Sequence, residues 1–380
     1  MVGLVLAILA LTGTAPRAPL LAFERQRIGT DNYEAASAFD VNNDGAIDIV
    51  SGAYWYEGPA YQVAHKIAEY QRVSDYYDDF SDYPMDVNGD GWTDIVTGGY
   101  FGQTLQWIEN PKGAEGLWPL HKVAQVGPIE RNLFHDIDGD GFVEVMPTTS
   151  PVHIFRLVRD AEGKGTGQFT DFVIAQPGGG GHGMGAGDVN ADGRVDLVFS
   201  TGWFEAPEKP YEGQWNWHPE LTLCSDASVP ILVYDVNKDG LPDIIVGHGH
   251  DYGLDWWEQG KSAEGDRTWT QHVICSERSQ YHDIQLVDID KDGEPELLTG
   301  KRYRAHAEAD PGSLDPVGVY YFEINGGQFE RVTLDYGPAG QASGAGIYLW
   351  MEDVDGNGWP DVIAPGKDGL YLFRNLGPQP

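Results

Sequence analysis

Apolar positions along this chain come in short runs rich in β-branched and aromatic residues. Ile47-Asp-Ile-Val50, Thr93-Asp-Ile-Val96, Val195-Asp-Leu-Val198 and Pro242-Asp-Ile-Ile-Val246 each follow a polar, glycine-containing stretch. Another short apolar stretch precedes each of these polar breaks, as in Ile284-Gln-Leu-Val287. An aromatic-x-Glu segment comes next: Trp55-Tyr-Glu57, Trp107-Ile-Glu109, Trp203-Phe-Glu205, Trp256-Trp-Glu258 and Tyr321-Phe-Glu323. A fourth run lies beyond it, as in Trp118-Pro-Leu-His121-Lys-Val123 and Trp269-Thr-Gln-His272-Val-Ile274. Runs of this kind between Gly, Asp and Pro breaks predict strands, four to a unit, which is the makeup of a propeller blade.

The polar break between the first two strands is itself a motif, Asp-x-Asx-x-Asx-Gly-x-x-Asp/Glu, and it occurs seven times. The copies are Asp40, Asn42, Asp44 and Asp48; Asp86, Asn88, Asp90 and Asp94; Asp136, Asp138, Asp140 and Glu144; and Asp188, Asn190, Asp192 and Asp196. The remaining three are Asp235, Asn237, Asp239 and Asp243; Asp288, Asp290, Asp292 and Glu296; and Asp353, Asp355, Asn357 and Asp361. Successive copies start 46 to 65 residues apart, a period that marks a propeller or solenoid unit. Alternating oxygen ligands, a turn glycine and a closing acid suit Ca2+, so up to seven calcium ions are expected. An EF-hand would need Glu at the twelfth position between two helices; Ser51, Thr97 and Pro147 stand there in the first three copies.

The termini explain how seven units close. After the last loop the chain makes Val362-Ile-Ala and Leu370-Tyr-Leu-Phe373 and then lacks an outer strand. Phe23-Glu-Arg-Gln-Arg-Ile28 matches the outer strand of the sixth unit, Phe329-Glu-Arg-Val-Thr-Leu334, and is expected to complete the seventh. Closure removes exposed sheet edges. The expectation is an all-β, seven-bladed β-propeller with four-stranded blades over 23–380 and no separate catalytic module. The loops and strand pattern resemble the FG-GAP or VCBS repeats of the integrin α-subunit head and of many secreted bacterial proteins. That resemblance implies calcium loops on one face of the disc and function on the opposite face.

Composition adds an acidic surface. The formal net charge is −35, and the seven loops hold 23 of the 59 acidic residues. Seven calcium ions would leave about −21, which argues against nucleic-acid or anionic-membrane partners. Residues Val2 to Leu11 form an apolar run too short to span a bilayer, followed by small residues, and residues 1–22 are expected to be a secretory signal. The protein is therefore expected to be secreted or periplasmic, and a monomer. Cys224 and Cys275 sit on neighbouring units, too far apart for a bridge, and are expected to be free thiols.

Repeat register separates two kinds of histidine. His65, His121, His218 and His272 recur at one place on the outer strand and are assigned to packing and hydrogen bonding. His182 and His282 each stand six residues before their loop aspartate, and His248 and His250 follow the second strand of the fifth unit. Strands alternate in direction, so these positions share the face opposite calcium, near the channel mouth. His182, His250, His282 and Tyr303 are the candidate catalytic residues. His248, Asp251, Tyr252, Arg302, Arg304, Trp203, Tyr54 and Tyr100 are the candidate ligand-binding residues, and a 14-residue insertion, Tyr303 to Pro316, is expected to wall that face.

Three functions fit. Exposed aromatic rings with Arg, His and Asp in a concave site suit a carbohydrate or sugar-derived ligand. A sugar lyase or dehydratase working by β-elimination is the second reading, with the three histidines holding Zn2+ or a similar ion, or serving as an acid–base set. Here Trp107-Ile-Glu-Asn-Pro111 and the stretch from His282 to Gly293 resemble segments of the aldos-2-ulose dehydratase propeller. Binding to a cell-surface protein is the third. No nucleophile elbow, phosphate loop or dinucleotide fingerprint is present, which disfavours acyl transfer, kinase and nicotinamide chemistry.

Overall fold

In the computed structural model, which describes residues 20–175 and 177–378, the apolar runs pair into seven four-stranded antiparallel sheets. The innermost strands are Ser37–Phe39, Tyr83–Met85, Asn132–His135, Met184–Gly187, Leu232–Tyr234, Ile284–Val287 and Trp350–Glu352. Within blades 1 to 6 the strands run outward in chain order. In blade 7 the outer place is taken by Leu21–Gly29, which pairs antiparallel with Leu370–Pro378. The ring is therefore closed by the N-terminal strand. That strand starts at Leu21, which is buried, so the propeller begins two residues before the sequence boundary. Most of the expected signal segment lies outside the described residues. No described helix is long and apolar enough to cross a membrane.

Each sheet must bury both faces, and the core is divided accordingly. Seven apolar clusters occur among the described residues, one at each junction between neighbouring blades. Blades 7 and 1, for example, share Ala36, Ile49, Tyr56, Ile363 and Leu372. Buried amides join neighbouring blades at the loop end. The Asn110, Gln259 and Asn375 side chains donate to the carbonyls of Val41, Val189 and Ile289, each in the preceding blade's loop.

The seven loops are tightly folded. In blade 1 the Asp40 carboxylate accepts the N–H groups of Asp44 and Gly45, while Asp48 accepts those of Val41 and Gly58. The closing acid is buried in every loop. Burial raises its pKa against these amide bonds, to about 6 for Asp48 and about 8 for Glu296. In the sixth loop one donor atom each from Asp288, Asp290 and Glu296 lies within 4.8 Å of the others. Asp288 Oδ1 and Asp290 Oδ2 are buried there without a hydrogen-bond partner, as a cation site requires. The third loop differs, because the Arg156 guanidinium pairs with Asp138 at 3.1 Å and with Asp140.

Candidate functional site

At the other end of the innermost strands the chain enters each blade from the rim. His182, His282 and Glu130 each stand two residues before their inner strand, on blades 4, 6 and 3. His250 arrives from the turn after Asp243–Gly247 in blade 5. These four residues converge, with one donor atom from each within 4.8 Å of the others. His182 Nε2 lies 2.8 Å from His250 Nε2, and His282 Nε2 lies 3.0 Å from Glu130 Oε1. Two ring nitrogens that close must share a proton or a common ligand. Gly249 lets the turn pass, since a Cβ there would sit 3.1 Å from His282 and 3.3 Å from His182.

The insertion supplies the next layer. Asp310 bonds His250 Nδ1 at 2.8 Å and His306 Nδ1 at 2.9 Å, and the His306 ring stacks on His250. Glu130 is also 3.4 Å from Arg302 Nη1, and Arg302 grips Glu34 through two bonds of 2.8 and 3.2 Å. Burial opposes the charge on Glu130, but the hydrogen bond from His282 and the Arg302 guanidinium outweigh it and hold the carboxyl well below the usual range. Burial, then Arg302, push His282 down to about 3 against the pull of Glu130. Burial and the same cation also lower His250. Neutral imidazoles are the form that ligates metals.

The cluster opens into a cleft of about 630 Å3 lined by Tyr100, Thr149, Asp226, His306 and Asp310 as well as Glu130, His182 and His250, while His282 is fully buried behind them. Beside it lies a pocket of about 210 Å3 bounded by Tyr76, Phe80, Tyr100, Phe101 and Arg302. Three imidazoles and a carboxylate fit a transition ion such as zinc, and a carboxylate on the far nitrogen of His250 is the usual support for a metal-binding histidine.

The structure thus brings His182, His250 and His282 to one point and places Tyr100 and Arg302 beside it. It sends other sequence candidates elsewhere. Trp203 is buried (1% exposed) and stacked on His218, so it packs blade 4 and offers no face to a ligand. Tyr54 pairs along the third strand of blade 1 and packs against its core. Tyr303 does not line the cleft, and Arg304 is engaged by Asp75 and Glu308. Tyr252 bonds Asp315 at 2.5 Å, and Asp251 accepts the N–H of Tyr252; neither lines the cleft. His248 turns away to Asp255. Sequence reasoning missed Glu130, Glu34, Asp310 and Asp226. The first two share the position of His182, six residues before the loop aspartate, so register could have found them. His65, His121, His218 and His272 do form a repeated packing unit, each stacked on a tryptophan. Both cysteines are free.

Residues 235–299, from the fifth loop into blade 6, match the FG-GAP-like repeat. No curated protein matches the chain. Among solved structures, rhamnogalacturonan lyase YesW is similar with a TM-score of 0.48 and 14% identity, over 95% of this chain and 76% of that one. Sqt1 of Saccharomyces cerevisiae is similar with a TM-score of 0.49 and 11% identity, over 93% of this chain and 98% of that one. By its own strand pairing the chain is a seven-bladed β-propeller, and it carries an FG-GAP-like repeat in residues 235–299.

Proposed function

We propose that this propeller is a metal-assisted lyase or dehydratase acting on a carbohydrate-type substrate. The observation that carries the reading is the convergence of three imidazoles and one carboxylate, of which Glu130, His182 and His250 line an open cleft. Glu130, His182, His250 and His282 would hold the ion, which would supply Lewis-acid polarisation of a substrate carboxylate or carbonyl. The chain's other groups have separate tasks. Arg302, fixed by Glu34, holds Glu130 in place. His306, oriented by Asp310 at the cleft wall, is placed to take a proton, and the Tyr100 hydroxyl to return one to a leaving oxygen. The loops on the opposite face would bind calcium, and the acidic exterior suits an extracellular or periplasmic setting.

A non-catalytic carbohydrate-binding role is the second reading. The ring-lined pocket of Tyr76, Phe80, Tyr100 and Phe101 favours it, because aromatic faces accept the apolar face of a sugar. Incubation with a panel of uronate and keto-sugar substrates separates the two. Elimination creates a conjugated double bond and so an ultraviolet absorbance increase, which His182→Ala should abolish. A flat trace across the panel, together with retained binding on a glycan array, would leave the second reading alone.

A further inference from the structure

The turn that delivers His250 also carries His248, two residues earlier, and the two rings serve different neighbourhoods. His248 meets Cys224 and Asp226, which lie on the connection between blades 4 and 5. One donor atom each from Cys224, Asp226 and His248 lies within 4.8 Å of the others. Backbone bonds pin the two segments together. The Gly249 N–H donates to the Asp226 carbonyl at 2.7 Å, and the His250 N–H donates to Asp226 Oδ2 at 3.1 Å.

The imidazole is held as a ligand would be. His248 Nε2 bonds Asp255 Oδ2 at 2.9 Å, and that same oxygen accepts from Gln271 at 2.8 Å. This leaves Nδ1 as the coordinating nitrogen and reproduces the carboxylate–histidine support found behind metal sites. Gly253 closes the cradle. Its φ is +137°, and a Cβ there would lie 2.9 Å from the His248 ring, so a larger residue would displace the imidazole.

A thiolate, an imidazole and a carboxylate form a set that hard calcium disfavours and zinc favours. Three protein ligands leave one position free, and Ser225 and Asp226 line the 630 Å3 cleft. We propose that Cys224, Asp226 and His248 bind a second transition-metal ion of the zinc class, its open position directed to the cleft shared with the four-residue cluster. The site stands on its own residues and does not require the neighbouring cluster to be catalytic. Because Asp226 also holds the His250 backbone, an ion here would fix the turn that positions His250.

Cobalt substitution of the full-length protein tests this directly. A thiolate ligand gives an intense sulfur-to-cobalt charge-transfer band in the near ultraviolet, which a nitrogen and oxygen set lacks. The band is expected in the wild type and in His182→Ala, and is expected to vanish in Cys224→Ser. Absence of the band in the wild type, or its survival in Cys224→Ser, overturns the proposal. X-ray absorption on wild-type protein loaded with zinc needs no variant, and a sulfur scatterer at about 2.3 Å is the expected result. A shell of nitrogen and oxygen alone overturns the site. Failure of the lyase reading would look different, since the substrate panel would stay flat and His182→Ala would lose no equivalent of metal while the charge-transfer band stayed.

Discussion

Arg302 is 1% exposed, and the electrostatics of the cluster turn on it. Removing a guanidinium from water costs several kcal/mol, offset here by the two bonds to Glu34 and the charge of Glu130. Glu34→Gln leaves the buried Arg302 with only the more distant Glu130 as a charged partner and is expected to cost about 3–5 kcal/mol in denaturant unfolding. A loss below about 1 kcal/mol would show that water or another acid replaces Glu34. Asp310→Asn should leave stability nearly unchanged but weaken transition-metal affinity about 10–100-fold in chelator competition, because His250 loses its carboxylate support. His182 and His282 were legible because they interrupt a repeat at a fixed offset, and His250 because it follows the second strand of its blade and so reaches the same face. Glu34 and Glu130 occupy the same offset but escape notice in a chain so rich in acids. Asp310 lies in an insertion with no counterpart in other blades, so no register could point to it.

At the scale of a blade, the recurring unit is a tryptophan, a histidine and a glutamate. Trp107 stacks on His121 at 4.2 Å, and His121 bonds Glu109 at 2.7 Å; blades 1, 4 and 5 repeat this with His65, His218 and His272. His121→Ala is expected to cost about 1 kcal/mol, measured by the shift in unfolding midpoint. The argument that made these histidines structural applies equally to Trp203, which shares the register of Trp55, Trp107 and Trp256. An exposed rim was inferred for it from residue type, and the repeat position was the better guide.

Blade 3 departs from the unit. Strand pairing places Arg156 where blades 1, 2, 4 and 5 carry Glu57, Glu109, Glu205 and Glu258. Its guanidinium lies among Asp138, Asp140 and Glu144, the carboxylates that a calcium ion would use. Calcium titration should therefore find the third loop weakest, and Arg156→Glu should add one bound ion by calorimetry. An unchanged stoichiometry would mean that the arginine swings aside.

Across the whole molecule, charge dominates. With a net charge of −35, loss of calcium would remove ligand bonds and expose like charges to one another. Chelation is expected to lower Tm by more than about 5 °C, and added salt should restore part of that loss by screening. A Tm indifferent to both would show that calcium contributes nothing to the stability of the fold. The overall ring was legible because seven loops and a displaced outer strand determine it. The cleft was less so, since its walls come from connections whose lengths differ between blades.

Leu21 pairs with Pro378, and Gly29 with Leu370, so the first strand of the ring waits for a partner more than 340 residues later. During synthesis the other blades can assemble while the seventh still lacks its outer partner and the nascent ring stays unlocked. Pairings this distant in sequence are slow to find. The interval before locking is therefore when this protein is most open to capture by other chains, and a chaperone acting on it would have its greatest effect there.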